Sequence, residues 1–519
     1  MLTGALLLGI GLVAAGARLY GLDAKPLWLD ETLSWRLQSF PLGLLLERTG
    51  SAATVHPPLY FVILHVWTPW FGDSHFALRL PSALFGVLSA LAIYPLARDL
   101  AAMSFRGANV AARSRSAGLL ASALVAISPY HIHAAHQARP YTLGILLAIV
   151  STWLLLLALR ARTPRRTMTA WLLYAVSVLG FLYTHHLGLF SVLAQGLFAA
   201  AILFPFRGSA AAAVAEPAMW YRLARRWALV AAAVVIVGYL PWVPRVFAQS
   251  ENLRTAWSRS LRPAELLQLP TSALLAAADS IPEESLPFAA GTLTVLLGVL
   301  ALTAWRGGPA GALVVLMSLV PPLLLLLYST QSMRSIFTAR YLAFAQPFWL
   351  IAFALLVCRP HDRPLRIGLG LLLVFWSAVS CIEHEEILGR MHHPGMPAAV
   401  ERLLAQRRDG EPVIAQSPEM LFKLLYYSDG SYRPWLLVDV PDRHQQFCAA
   451  QLLDEDLVTQ EQVWAEAPEG IWTFSSAAYP HASRGELTLP SDFQQRSATY
   501  FEQDKHWERR IQVRHYRRE

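Results

Sequence analysis

From residue 2 to residue 382 the chain keeps returning to apolar runs that carry almost no charge, near 2–20, 76–98, 117–134, 141–159, 170–186, 187–205, 227–248, 287–305, 309–328, 341–358 and 366–382. A hydrocarbon core ~30 Å thick takes about 20 apolar residues per helical crossing, so the pattern predicts a polytopic bundle of about eleven transmembrane helices. Composition agrees. Hydrophobic residues make up 55% of the chain and charged ones 15%, where a soluble chain carries nearer ~25% charge. The run Met1–Tyr20 has no basic n-region and no small-residue cleavage site before Arg18, so it reads as a retained first span and not as a signal peptide.

The loops set the orientation. Short arginine-rich connections recur at Arg98–Arg115, Arg160–Arg166, Arg207–Arg226, Arg306 and Arg359–Arg366. Every second connection is of this kind, so the positive-inside rule assigns them, and the N-terminus, to the cytoplasm. The net charge of +8 is therefore an orientation signal, and no nucleic-acid partner is expected. The segment His56–Phe71 opens with Pro57-Pro58, is broken by His65 and Pro69, and is too short to cross. It is expected to lie along the interface within a first external loop of about 21–75. A second external segment, about 249–286 with Trp257 and Arg259, is expected to hold another surface-lying helix.

Beyond residue 382 charge returns to ordinary soluble density. Helical pattern at 397–408 and 418–427 alternates with strand-like runs at 412–415, 434–439 and 470–474, which predicts an α/β domain over 383–519. With about eleven crossings and a cytoplasmic start, that domain is extracytoplasmic. The cysteines, Cys358, Cys381 and Cys448, have no metal-ligand spacing, and no metal or cofactor is expected from them.

Sorted by side, the unusual polar residues collect on the external face. Asp30 and Glu31 follow the first span inside Trp28-Leu29-Asp30-Glu31-Thr32-Leu33-Ser34-Trp35, His56 lies in the same first external loop, and Arg79 begins the second span. His131, His133, His136, Gln137, Arg139 and Tyr141 surround a later external connection; Tyr183, His185 and His186 end the fifth span; Arg334, Arg340 and Tyr341 precede the tenth. External arginines at span edges run against the usual bias, which favours a site. Two carboxylates supply a general base or ligands for a hard cation, and arginines at the interface form a receptor for phosphate. A polyprenyl phosphate sits at this depth, its chain among the helices and its sugar in the aqueous loops. The chemistry expected is glycosyl transfer, with Asp30 taking a proton from the acceptor hydroxyl and guanidinium groups stabilising the leaving phosphate.

The residues also carry a family resemblance. His56-Pro57-Pro58-Leu59-Tyr60-Phe61, Ala77-Leu78-Arg79-Leu80-Pro81-Ser82, Ser128-Pro129 followed by Gln137-Ala138-Arg139-Pro140-Tyr141, together with Trp28-Leu29-Asp30-Glu31 and Ala339-Arg340-Tyr341, resemble the motifs of family 39 glycosyltransferases, the protein-mannosyltransferase-like and aminoarabinose-transferase-like group of GT-C fold. The resemblance implies a membrane enzyme of a bacterial-type inner membrane that takes a hexose or pentose from a polyprenyl-phosphate donor to an extracytoplasmic protein, glycan or lipid. It implies Asp30 and Glu31 as catalytic carboxylates, Arg79, Arg139 and Arg340 on the donor phosphate or the carboxylates, and His56, Tyr60, Gln137, Tyr141, His185 and Tyr341 on substrate. Gln137 stands where many relatives have an acidic residue, so a divalent cation shared with Asp30 would lose a ligand there. His56 matches the mannosyltransferase form of its motif, where aminoarabinose transferases have lysine.

Competing readings stay beside these. Arg79 could be a snorkelling anchor, His185 and His186 could cap a helix end, and His131, His133 and His136 fit interface polarity better than a metal site. A transporter or flippase of a lipid-linked glycan is the alternative function, and an assembly factor a third.

Overall fold

The computed structural model describes every residue except 1, 205–218, 256–260, 277–285, 332–335, 361, 391–394, 443, 445–447, 467–468, 477–486 and 503–509. In chain order its first helices are α1 (Leu2–Leu19), α2 (Leu29–Ser39), α3 (Leu42–Thr49), α4 (Leu59–Phe71), α5 (His75–Ser104), α6 (Val110–Ile127), α7 (Pro129–Ala135), α8 (Tyr141–Arg160), α9 (Pro164–Leu182) and α10 (Gly188–Leu203). They are followed by α11 (Met219–Tyr239), α12 (Val243–Thr255), α13 (Glu265–Thr271), α14 (Leu286–Gln331), α15 (Gln346–Cys358) and α16 (Arg363–Arg390). A helix lies along each of the apolar segments read from the sequence. Seven helical stretches among the described residues are long and apolar enough to cross a membrane, and α4, α10 and α15 are shorter apolar helices. Trp257, Arg259 and Arg334 lie outside the described residues.

The chain divides into two compact units. The first comprises Met1–Tyr20, His56–Tyr60 and Arg79–His384; the second comprises Gly21–Val55, Phe61–Leu78 and Glu385–Glu519. Small residues let the helices of the first unit close on one another: a Cβ on Gly118 of α6 would come within 2.8 Å of the Tyr94 carbonyl oxygen in α5. Arg18, fully buried, fastens α1 by donating to the carbonyl oxygens of Ala14, Val125 and Ala126 at 2.8–3.1 Å. This satisfies a charge that the lipid could not. The segment α14 is two helical arms about Gly308, whose φ of 57° is a conformation glycine adopts without strain, and the following Pro309 has no N–H to continue the ladder. That break separates the predicted spans 287–305 and 309–328.

The second unit holds α2, α3, most of α4 and the C-terminal residues. There, β1 (Val413–Ala415), β2 (Pro434–Leu437), β3 (Leu457–Val458), β4 (Gly470–Ser476), β5 (Phe493–Glu502) and β6 (Arg510–Arg518) form a mixed sheet in the order β3-β2-β1-β4-β6-β5. β1 to β4 pair in parallel, and β6 runs antiparallel to both β4 and β5. The helices α17 (Gly395–Gln406), α18 (Pro418–Tyr427) and α19 (Gln460–Glu466) complete the α/β domain. α18 starts where Ser417 accepts the backbone N–H of Met420 and Pro418 takes the first helical position. Its apolar face, Met420, Leu421, Phe422 and Leu424, joins Met396, Val400 and Leu403 of α17 and Val413 and Trp472 of the sheet in one core, to which Leu29 of α2 also belongs.

Candidate active site

In the first unit the separate sequence motifs are tied together by hydrogen bonds. The Leu59 N–H, just after Pro57-Pro58, donates to the Tyr183 carbonyl oxygen at 3.0 Å. The Tyr60 hydroxyl lies 2.8 Å from the hydroxyl of Ser82, which in turn donates to the Arg139 carbonyl at 3.3 Å. Ser82 thus joins three motifs, though in sequence it is only the last residue of Arg79-Leu80-Pro81-Ser82. Pro140 caps α8, one place ahead of the first helical residue Tyr141, and leaves Arg139 just outside the helix. Arg139, Tyr141, His56 and His185 are all nearly inaccessible to solvent, at 2–6% exposed.

The side chains then form one buried polar cluster. Arg139 Nη2 donates to His56 Nε2 at 2.7 Å. Because a guanidinium only donates, Nε2 must accept, and the proton of neutral His56 sits on Nδ1. Burial first, and then the charge of Arg139, hold the His56 pKa well below the usual histidine range. At His185, Nδ1 accepts the Leu187 N–H at 3.2 Å, which puts the neutral ring's proton on Nε2. His56 Nδ1, His185 Nε2 and the Tyr141 hydroxyl are buried and have no hydrogen-bond partner among the described residues. Three buried donors without acceptors are costly, at about 1–3 kcal/mol each.

These three side chains adjoin one another. Ring centroids are 4.8 Å apart for His56 and His185, 6.2 Å for His56 and Tyr141, and 5.8 Å for Tyr141 and His185. Tyr341 stands 5.8 Å from His185, and its neighbour Arg340 is close enough for its charge to bear on His56. Phe344 backs the cluster, 5.2 Å from His185. A guanidinium beside buried, neutral N–H and O–H donors is a constellation suited to an oxyanion.

Other polar residues of the external face have partners or burial of their own. Gln137 bonds His133 at 2.8 Å. Arg79 is buried at 3% exposure near the start of α5. His186 is held by Gln249 at 2.6 Å and Tyr239 at 3.3 Å, and His131 by Gln346 at 2.6 Å, which makes both part of the scaffold. Among the described residues no group of three or more His, Cys, Asp or Glu side chains could hold a metal ion.

Asp30 and Glu31 belong to the second unit, in the first turn of α2 at the positive end of its macrodipole. The two differ. Glu31 is 1% exposed, and its Oε2 accepts the Trp28 N–H at 3.4 Å, a reach from the third helical position back to the cap. Asp30 is half-buried, and its carbonyl oxygen accepts the Ser34 hydroxyl at 3.0 Å.

Residues 55–244 match the family model described as dolichyl-phosphate-mannose-protein mannosyltransferase. Among solved structures, ArnT from Cupriavidus metallidurans aligns at a TM-score of 0.57 and 14% identity over 98% of this chain and 97% of that one. The same protein bound to undecaprenyl phosphate gives 0.57 and 15%, with the same coverage. The archaeal oligosaccharyltransferase AglB from Archaeoglobus fulgidus, in complex with an inhibitory peptide and a dolichol-phosphate, gives 0.51 and 10% over 94% of this chain and 72% of that one. No sequence among the curated proteins matches the chain. The family-model match spans His56, Tyr60, Arg79, Arg139, Tyr141 and His185 and stops short of Arg340 and Tyr341. The family resemblance read from the motifs is borne out, and the chain is a multi-pass membrane protein of GT-C fold with a C-terminal α/β domain.

Proposed function

We propose that this GT-C membrane protein with family 39 motifs is a glycosyltransferase, moving a hexose or pentose from a polyprenyl-phosphate donor to an acceptor hydroxyl on the extracytoplasmic side. The observation that carries the reading is the cluster of buried donors at Arg139, His56, Tyr141 and His185, which we read as a receptor for the donor phosphate. ArnT, whose fold is alike, binds undecaprenyl phosphate, and AglB a dolichol-phosphate. The proposed orientation follows the arginine-rich loops: cytoplasmic N-terminus, residues 1–382 as the catalytic membrane domain in a bacterial-type inner membrane, and residues 383–519 outside.

In the proposed reaction the Asp30 carboxylate takes the proton of the acceptor hydroxyl as that oxygen attacks the anomeric carbon. The bond from that carbon to the phosphate oxygen breaks, and the polyprenyl phosphate leaves with the electron pair. Arg139 meets the growing charge directly, and the His56, His185 and Tyr141 donors satisfy the phosphate oxygens as they themselves become satisfied. Arg340 and Arg79 add positive charge, and Tyr60, Gln137 and Tyr341 shape the surroundings. Glu31 holds the first turn of α2. We propose no organic cofactor for the reaction, with a divalent cation at Asp30 as the alternative.

Reconstitution in liposomes with undecaprenyl-phosphate sugars tests the reading against the transport alternative. Formation of a glycosidic bond in the presence of membrane acceptors is the expected result. Headgroup scrambling with no bond formed would replace the enzyme with a flippase.

A further inference from the structure

We infer that the C-terminal α/β domain is the mount for the helix that carries Asp30, and that Tyr427 is a positioning residue in it; the functional consequence rests on Asp30 being the base. All the contacts lie within the second unit. α2 buries Leu29, Thr32, Ser34 and Leu37, and Leu29 enters the same core as Met420, Phe422 and Leu424 of α18. A helix of 11 residues is marginal by itself. Its place is therefore set by what it packs on.

Polar latches stand at both ends of α2. Ahead of it, the Tyr427 hydroxyl accepts the Leu27 N–H at 3.1 Å and lies 3.1 Å from His75 Nε2, so one oxygen of α18 fixes the backbone three residues before Asp30. At the far end, Arg36 pairs with Asp456 at 2.9 Å, with side chains 14% and 2% exposed, and also donates to the Gln451 carbonyl. Between them the Trp35 ring stands edge-on to Tyr426 at 5.2 Å. A loop merely covering a site would not need a desolvated ion pair and a shared tyrosine to fix one helix; a carboxylate that must meet a hydroxyl in a set geometry does.

The test uses full-length protein. Hydrogen exchange of Tyr427→Phe and of Asp456→Asn is compared with the parent, with the strands 413–415 and 470–476 as the internal control for folding. The mount predicts exchange in 29–38 faster by about fivefold or more with those strands unchanged. Unaltered exchange in 29–38, or equal loosening of helix and strands, overturns it. In host membranes, which supply both donor and acceptor, turnover of the endogenous polyprenyl-linked sugars by Tyr427→Phe should fall by about tenfold toward an Asp30→Asn blank, while binding of undecaprenyl phosphate, whose proposed receptor lies in the other unit, stays at the parent value. Parent-level turnover despite a loosened α2 removes the positioning role. Should Asp30→Asn itself turn over normally, the assignment of Asp30 fails, and the exchange arm still decides on the mount.

Discussion

Arg139 spends one of its donors on the ring nitrogen of His56, at 2.7 Å, and so decides which nitrogen of that neutral ring carries the proton. His56 Nδ1 thereby becomes a buried donor beside His185 Nε2 and the Tyr141 hydroxyl. The same bond links a motif at residue 56 with one at residue 139.

Arg139→Met should weaken undecaprenyl phosphate binding by about 10- to 100-fold, the worth of a charge-assisted hydrogen bond plus the lost fixation of His56. Calorimetry or a fluorescence competition in detergent measures it. Binding equal to the parent would remove Arg139 from the receptor.

Glu31→Gln and Asp30→Asn should separate. Glu31 reaches back to the cap, so its amide variant should act on the local stability of α2 and keep most of its turnover, whereas the Asp30 variant keeps its fold and loses transfer. Equal inactivity of two well-folded variants would assign Glu31 a chemical role.

Gly144→Ala should damage the site from behind. Its Cβ would fall 2.5 Å from a ring carbon of Phe344, a residue packed against both Phe181 and His185. Overpacking of this kind costs about 1–3 kcal/mol, so a lower melting temperature and weaker lipid-phosphate binding should appear together. A melting temperature equal to the parent's would mean that Phe344 yields freely.

Acid should loosen the C-terminal sheet through Glu411. This carboxylate, 3% exposed, accepts from Trp472 at 2.8 Å, Arg517 at 3.1 Å and the Arg408 N–H at 3.1 Å. Burial alone would raise its pKa, but the Arg408 N–H, the Trp472 indole and His515 outweigh that and hold it below the ordinary value. A carboxylate depressed in the folded state contributes stability above its unfolded pKa and loses it as pH falls through the folded one. His515, lowered chiefly by burial with Glu411 opposing, also favours its neutral form, so its contribution declines as pH falls below the unfolded histidine value. Exchange protection of β4 and β6 should therefore decline from neutral pH to about pH 3, and Glu411→Gln should flatten the part of that decline below about pH 4.5. A flat profile in the parent contradicts this.

Much of the fold was legible because lipid and water impose crude, strong rules. The interruption at Arg306–Pro309 separated two arms of α14, and Ser417-Pro418 announced α18 within the α/β alternation. β5 and β6 are not legible in the sequence: Gln494, Gln495, Arg496, Arg510 and Arg514 interrupt the apolar alternation that would mark the two strands of this antiparallel pair. Of the site, Arg139, His56, Tyr141 and His185 could be named from sidedness and motif, but not the tautomers that make them donors, since those depend on a bond across 83 residues and on the Leu187 N–H. Ser82 gives no sign in the sequence of being a hub, because nothing in the spacing of a serine beside Pro81 inside α5 points to Tyr60 or Arg139. The grouping of the Asp30 loop with the C-terminal domain likewise rests on contacts such as Leu27 with Tyr427 that no spacing announces.

The most direct test is a transfer assay on purified full-length protein with undecaprenyl-phosphate-linked sugars and membrane acceptors, comparing the parent with Asp30→Asn. The account predicts glycosidic bond formation by the parent and none above background by the variant, with undecaprenyl phosphate binding the same in both. Transfer by Asp30→Asn at the parent rate would contradict it.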